Sequence, residues 1–201
     1  MTVTTVRSRR LDYSESTRKA LVDSAVELFT KQGYSATSLD AVAKRALVTK
    51  GALYHHFTGK QALFEAALDA VETVILRRLG DIIGGLGDPW DRAMSAVRAY
   101  VKVCLDPSYQ RIVIHEAPVV MGWERWRETE EHYSYGLVKM AVERMIEAEL
   151  VEDLPVEATA RMLFGAMSSG AMVIAGATDQ RKASAEVSTV LVSLLEGMRR
   201  R

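Results

Sequence analysis

Thr37-Ser38-Leu39-Asp40-Ala41-Val42-Ala43-Lys44-Arg45-Ala46-Leu47-Val48-Thr49-Lys50-Gly51-Ala52-Leu53-Tyr54-His55-His56-Phe57-Thr58-Gly59-Lys60-Gln61 is the stretch on which the fold turns. Leu39, Val42, Ala43 and Ala46 fall at i, i+3, i+4 and i+7, the spacing of one helical face. Thr37 stands where a helix cap belongs, with Asp40 three residues on in capping-box position. After the turn Ala46-Leu47-Val48, Thr49 can cap a second short helix in which Leu53 and Phe57 share a face while Lys50, Gly51, Tyr54 and His55 point away. Thr58 and Gln61 then form a full capping box that opens a longer helix. Helices of two turns do not hold alone, because nucleation is costly, so both must pack on neighbours.

Outward from this stretch the periodicity stays helical. Leu21, Ala25, Leu28 and Phe29 mark one face of a first helix that starts near Asp12 to Ser16 and is stopped by Gly33. Phe64, Leu68, Val71 and Ile75 form a further stripe, as do Trp90, Met94, Val97, Val101 and Cys104, and then Val187, Val190, Leu191, Leu194 and Met198. No segment alternates with period two. Breaks fall at Gly84-Gly85-Leu86-Gly87, at Asp88-Pro89, where Asp caps and Pro takes the first helical position, and at Asp106-Pro107, Pro118, Gly122 and Pro155. The reading is all-α, with about nine helices.

Composition narrows the function. Cys104 is the only cysteine, so no internal disulfide forms, and Met1 to Arg10 lacks the apolar core of a signal peptide. The apolar run Met162 to Ala177 is interrupted by two serines and reads as a buried helix rather than a membrane span, which makes the cytoplasm the expected compartment. The four histidines have no metal-ligand spacing, and there is neither a phosphate-cradling glycine loop nor a nucleophile elbow. No catalytic residue, metal or cofactor is expected. The formal net charge is zero, but residues 1–60 carry ten Lys and Arg against five Asp and Glu, so that +5 at the start is balanced by −5 in the remainder. A basic module that meets phosphate, joined to an acidic one that does not, fits that asymmetry.

Two short helices joined by a tight turn, the second offering Thr, Lys, Tyr and His outward, have the geometry that seats a helix in the DNA major groove. Residues 37–43, 48–57 and 60–64 resemble the helix-turn-helix of TetR-type repressors, and the likeness runs contiguously over residues 16–64. The resemblance implies a dimeric regulator divided into a basic arm (1–15), a three-helix DNA-binding domain (16–60) and a helical effector-binding and dimerisation domain (61–201). Its partners would be an inverted-repeat operator in double-stranded DNA and a small apolar or aromatic effector, with no membrane involved. The alternative is a DNA-binding protein of the same fold without an effector.

The DNA-contacting candidates are Thr37, Ser38 and Thr49, whose hydroxyls sit at helix starts suited to phosphate, with Lys50, Gly51, Tyr54, His55 and Lys60. Tyr54 could instead cover the small core, and His56 could face the first helix. Arg7, Arg9 and Arg10 read as a disordered basic arm that could follow the phosphates or be plain solvated tail. Similar proteins commonly carry Gly where this chain has Leu47, and a left-handed Leu costs roughly 1 kcal/mol or more.

Beyond residue 64 the reading is coarser. Gly165, Ala166, Ser169, Gly170 and Ala171 would let another helix approach closely, and with the terminal Val and Leu stripe they could build a four-helix interface between two copies. Met94, Tyr100, Cys104, Trp123, Trp126, Tyr133, Phe164 and Met167 are the candidates for a ligand cavity, although such residues are more often simply core.

Overall fold

The computed structural model describes the backbone of residues 3–130 and 134–200 and the side chains of residues 13–129 and 134–200. Among the described residues it holds ten α-helices and one π-helical segment, where about nine helices are expected from the sequence. They are α1 (Val3–Ala36), α2 (Leu39–Arg45), α3 (Lys50–His56), α4 (Lys60–Gly84), α5 (Pro89–Val103), the π-helical Tyr109–Glu116, α6 (Ala117–Met121), α7 (Trp123–Glu130), α8 (Gly136–Glu147), α9 (Val156–Gly176) and α10 (Gln180–Gly197). The all-α reading holds, with a lone antiparallel bridge between Val151 and Arg199 closing the C-terminus onto the α8–α9 link.

The first helix starts earlier than the sequence suggests. Its backbone is helical from Val3, so the stretch expected as a disordered arm continues α1; no Gly or Pro precedes Gly33 to stop it. The side chains of Arg7, Arg9 and Arg10 lie outside the described residues. At Gly33 the backbone swings to φ 80° and ψ 170°, kinking the helix where the break is expected.

Leu21, Ala25 and Phe29 of α1, Val42 of α2, Leu53 of α3 and Leu63, Phe64 and Ala67 of α4 are all fully buried at the centre of the N-terminal bundle. The Phe29 and Phe64 rings meet edge to face at 5.3 Å, and Tyr34 meets Phe64 at 5.3 Å in the same geometry. Further along, Leu79 and Ile83 of α4 are buried among the later helices. One helix therefore belongs to both halves, and the boundary placed at residue 61 falls inside its first turn.

Two caps differ from the sequence reading. Ser38, not Thr37, caps α2, its Oγ accepting from Ala41 N at 3.1 Å. The Thr37 hydroxyl is turned inward, donating at 2.8 Å to the carbonyl of Gly33 next to the α1 kink. Gly59 holds the cap position of α4 with no side-chain bond, which moves Gln61 to the second helical position and out of reach of a capping box. Asp88 and Pro89 behave as expected, the carboxylate accepting from Asp91 N at 3.0 Å.

The turn between α2 and α3 is closed by Val48 N donating to Ala43 O at 3.0 Å, and Leu47 sits at its centre with φ 56°. This is the left-handed geometry that glycine adopts freely. Leu47 is 92 % exposed, so its side chain contributes no burial against that strain. Leu47→Gly should raise unfolding free energy by about 0.5–1 kcal/mol after allowing for the larger unfolded-state entropy of glycine. Urea denaturation measures it; an unchanged or lower midpoint contradicts the strain.

α9 departs from the buried helix expected. It is 21 residues long with a mean hydropathy of 1.2 over its best window, enough by length and composition to cross a membrane, yet only 22 % of that window is buried. Ala160, Gly170, Ala171 and Ile174 face inward, and a Cβ on Gly170 would come within 2.7 Å of Val187 Cγ1, which shows how closely α9 crosses α10. Met162, Gly165, Ser169, Met172, Val173 and Gly176 form an exposed stripe on its other side. The stripe continues on α10 in Val190 and Leu194.

Candidate nucleic-acid interface and effector cavity

α3 is positioned by its apolar side. Leu53 is fully buried and Phe57, just past the last turn, is 4 % exposed, which fixes the rotation of the helix and turns the opposite face outward. On that outward face lie Lys50, Gly51, Tyr54 and His55, all exposed, with Thr49 at the cap accepting from Ala52 N at 3.2 Å. Its hydroxyl proton stays available to a phosphate oxygen. Tyr54 is 51 % exposed and therefore does not act as a cover for the core.

Electrostatic ties hold the three helices in register. Glu27 of α1 receives Arg45 of α2 and, at 2.6 Å, Lys31. Hydrogen bonds from Lys31 and then Arg45 keep its carboxyl below the usual range. Lys50 Nζ lies 2.8 Å from Asp40 Oδ1, a bridge between α3 and α2 that raises the lysine pKa. Both partners are mostly exposed, so an approaching phosphate can take the ammonium over at little cost.

Not every sequence candidate reaches this surface. Ser38, Thr49, Lys50, Gly51, Tyr54 and His55 are exposed. Thr37 is 2 % exposed, and its hydroxyl serves the α1 kink, so it does not face a ligand. Lys60 is half-buried, donating to the carbonyl of Ser35 at 3.2 Å with its ammonium 4.4 Å from the Tyr34 ring centre. It fastens the start of α4 to the end of α1, past the Gly33 kink.

His56 turns toward α1, near Phe57 and Arg18. Burial, then the charges of His55 and Arg18, depress its pKa below 6.5. Its neutral form thus contributes stability fully present above the unfolded value and lost as pH falls through the folded one. The wild type should lose more stability between pH 7 and pH 5 than His56→Gln does, as read by urea midpoints. Identical losses would remove this role.

The second feature is a hollow of about 70 Å³ between α4, α5, α8, α9 and α10, open at its mouth. Tyr100, Phe164 and Met167 line it as expected. The Tyr100 hydroxyl donates to the Met167 carbonyl at 3.1 Å, tying α5 to α9 across the wall. Met94, Cys104, Trp123 and Trp126 do not line it. On α5 the hollow is faced by Ala93, Ala96, Val97 and Tyr100, leaving Met94 on the flank, while Cys104 is buried past the helix end. The two tryptophan rings meet in α7 with centroids 4.9 Å apart and planes tilted by 45°, and Trp123 is 55 % exposed. Tyr133 lies outside the described residues.

Tyr109 and Glu72 are among the lining residues that the sequence reading passes over. Glu72 is 1 % exposed. Its signal was present: on α4 it occupies a helical step between Leu68 and Ile75, an acid inside an apolar stripe.

A physical link joins hollow and interface. Tyr109 lines the cavity, and in the same π-helical turns Arg111 and Glu116 pair at 3.0 Å. That pair lies against Gly33, where a Cβ would collide with the guanidinium and come within 2.6 Å of the carboxylate. The cavity wall is thus packed against the residue at which α1 turns toward α2.

Known proteins align with both halves. Residues 21–67 match the family described as bacterial regulatory proteins, tetR family, and residues 90–198 match the tetracyclin repressor-like C-terminal domain. The Transposon Tn10 TetC protein of Escherichia coli is 33 % identical over 137 residues, which is 66 % of this chain and 67 % of that protein. The HTH-type transcriptional regulator SrpR of Pseudomonas putida is 46 % identical over 55 residues, 27 % of this chain and 26 % of its own. A crystal structure of a TetR-family transcriptional regulator from Pectobacterium atrosepticum superposes with a TM-score of 0.82 at 29 % identity, covering 94 % of this chain and 97 % of that one.

Proposed function

This chain belongs to the tetR family of bacterial regulatory proteins, DNA-binding transcription factors rather than enzymes, and on that premise we propose that it is a homodimeric, cytoplasmic repressor released from an inverted-repeat operator when a small apolar or aromatic effector enters the cavity. The contact surface is Ser38, Thr49, Lys50, Gly51, Tyr54 and His55. Helix-start hydroxyls and Lys50 serve the phosphates, while Tyr54 and His55 reach base edges or backbone.

The observation that carries this reading is the joining of an outward-facing α3 to a hollow through shared elements. α4 runs from the N-terminal core to the cavity wall, and the Arg111–Glu116 pair abuts Gly33. An occupant that moves the wall displaces the base of the DNA-binding unit. A regulator without an effector would have a filled core, and the apolar-walled hollow between α4, α5, α8, α9 and α10 favours the effector reading.

Fluorescence anisotropy on a labelled inverted repeat tests it. Affinity should fall steeply as salt rises fourfold, since displaced counterions return to the phosphates. An added effector should weaken binding further at fixed salt. A flat salt response, or full affinity for a single half-site, would contradict the proposal.

A further inference from the structure

We infer that Asp40 reads one base in each half-site. When a phosphate takes Lys50, the freed carboxylate accepts a hydrogen bond from the N4 amine of a cytosine in the major groove, and Asp40 thereby sets sequence specificity. That role rests on the contact surface proposed above and adds a residue to it. Asp40 is the one acid in residues 37–61, a stretch that carries Lys44, Arg45, Lys50 and Lys60. It is exposed in the first turn of α2, two residues past the cap Ser38. Its two carboxylate oxygens lie 2.8 and 3.1 Å from the ammonium of Lys50, the first residue of α3. Ser38 and Lys50 both belong to the proposed contact face, so the carboxylate sits between two groups assigned to phosphate.

Exposure decides what the pair can do. With 60 % of the lysine side chain and 65 % of the aspartate open to solvent, the bridge contributes little to stability, and stability does not account for an acid here. On a duplex the exchange of partners has a second half. Lys50 gains a phosphate, while Asp40 loses its counter-charge beside a polyanion. Like charges then oppose binding to any sequence that offers the carboxylate nothing. In the major groove the donors are cytosine N4 and adenine N6. Adenine's amine lies between two acceptors, its own N7 and thymine O4, whereas cytosine's adjoins one, guanine O6. A carboxylate is repelled less at cytosine. The penalty therefore falls on every duplex except one that presents cytosine to residue 40.

Selection from a random duplex library by full-length wild type and Asp40→Ala, followed by anisotropy on the selected operator and on a scrambled duplex, tests this. Alanine is the best helix former and the position is exposed, so the variant folds. Wild type should fix cytosine at one dyad-related position of each half-site. Asp40→Ala should retain the rest of the operator and lose the preference at that position. It should bind the scrambled duplex at least about threefold more tightly and the operator at least about threefold more weakly, so that discrimination falls about tenfold. A wild-type operator with no fixed cytosine in its half-sites overturns the inference. So does an unchanged operator selected by Asp40→Ala. Equal tightening of operator and scrambled duplex does the same, because the acid then acts by repulsion alone. In these three cases an inverted repeat is still bound and the regulator reading stands. Failure of wild type to select any inverted repeat overturns that reading and this role together.

Discussion

Gly51→Glu should lower operator affinity by at least about a hundredfold while leaving the protein as stable as before or more so. The two effects have separate causes. Gly51 is the second residue of α3, exposed, and a Cβ there meets nothing closer than Thr49 Oγ1 at 3.9 Å. Replacing a glycine in the first turn gains a fraction of the roughly 1 kcal/mol that it costs in a helix interior, and an acid there is favoured by the helix dipole. On the DNA side the same change puts bulk and negative charge beside Lys50 and Tyr54, on the face proposed to enter the groove. A loss near 3 kcal/mol corresponds to about two decades of affinity. Anisotropy and thermal unfolding of one preparation read both effects. Undiminished binding by a stable Gly51→Glu protein would place the DNA surface elsewhere.

The second large effect concerns the proposed dimer. The stripe formed by Met162, Met172 and Val173 of α9 with Val190 and Leu194 of α10 is exposed in the single chain. Gly165 and Gly176 lie within it with open space in front of them, so another helix backbone can come close. α9 crosses α10 tightly at Gly170, which holds the two helices as one face. In a two-fold interface that face meets its own copy, so one substitution appears twice. Val190→Arg, at a position 59 % exposed in the monomer, should leave the chain folded. Two desolvated guanidinium groups at about 2 kcal/mol each would raise the dimer dissociation constant by about three decades. Sedimentation velocity at low micromolar concentration should find monomer. Operator binding should fall as well, because the half-sites are then engaged independently. Persistence of the dimer would show that α9 and α10 are not its interface.

The fold was legible because its signals are periodic. Leu21, Ala25 and Phe29, then Leu53 with Phe57, are spaced so that one helical face alone can bury them, and all are buried. Leu47 was also readable: the turn demanded a left-handed residue and the chain supplies a leucine there, at φ 56°. Caps were less legible. Thr37 and Ser38 are chemically interchangeable as caps, and only the carbonyl left by the Gly33 kink assigns one to each task. The cavity was least so. Met94 and Tyr100 look alike as large side chains on an apolar helix, and which of them meets empty space depends on how α8 and α9 sit, which no local pattern encodes. Glu72 could have been found, because a carboxylate at a helical step within an apolar stripe is out of keeping with its neighbours, and side-chain size was the weaker guide.

Selection of bound sequences from a random duplex library by the full-length protein tests the central claim most directly. Wild type should enrich two half-sites in inverted orientation with a fixed spacing, and Gly51→Glu should enrich nothing above background. Enrichment of a site without dyad symmetry, or recovery of the same site by Gly51→Glu, would contradict the account.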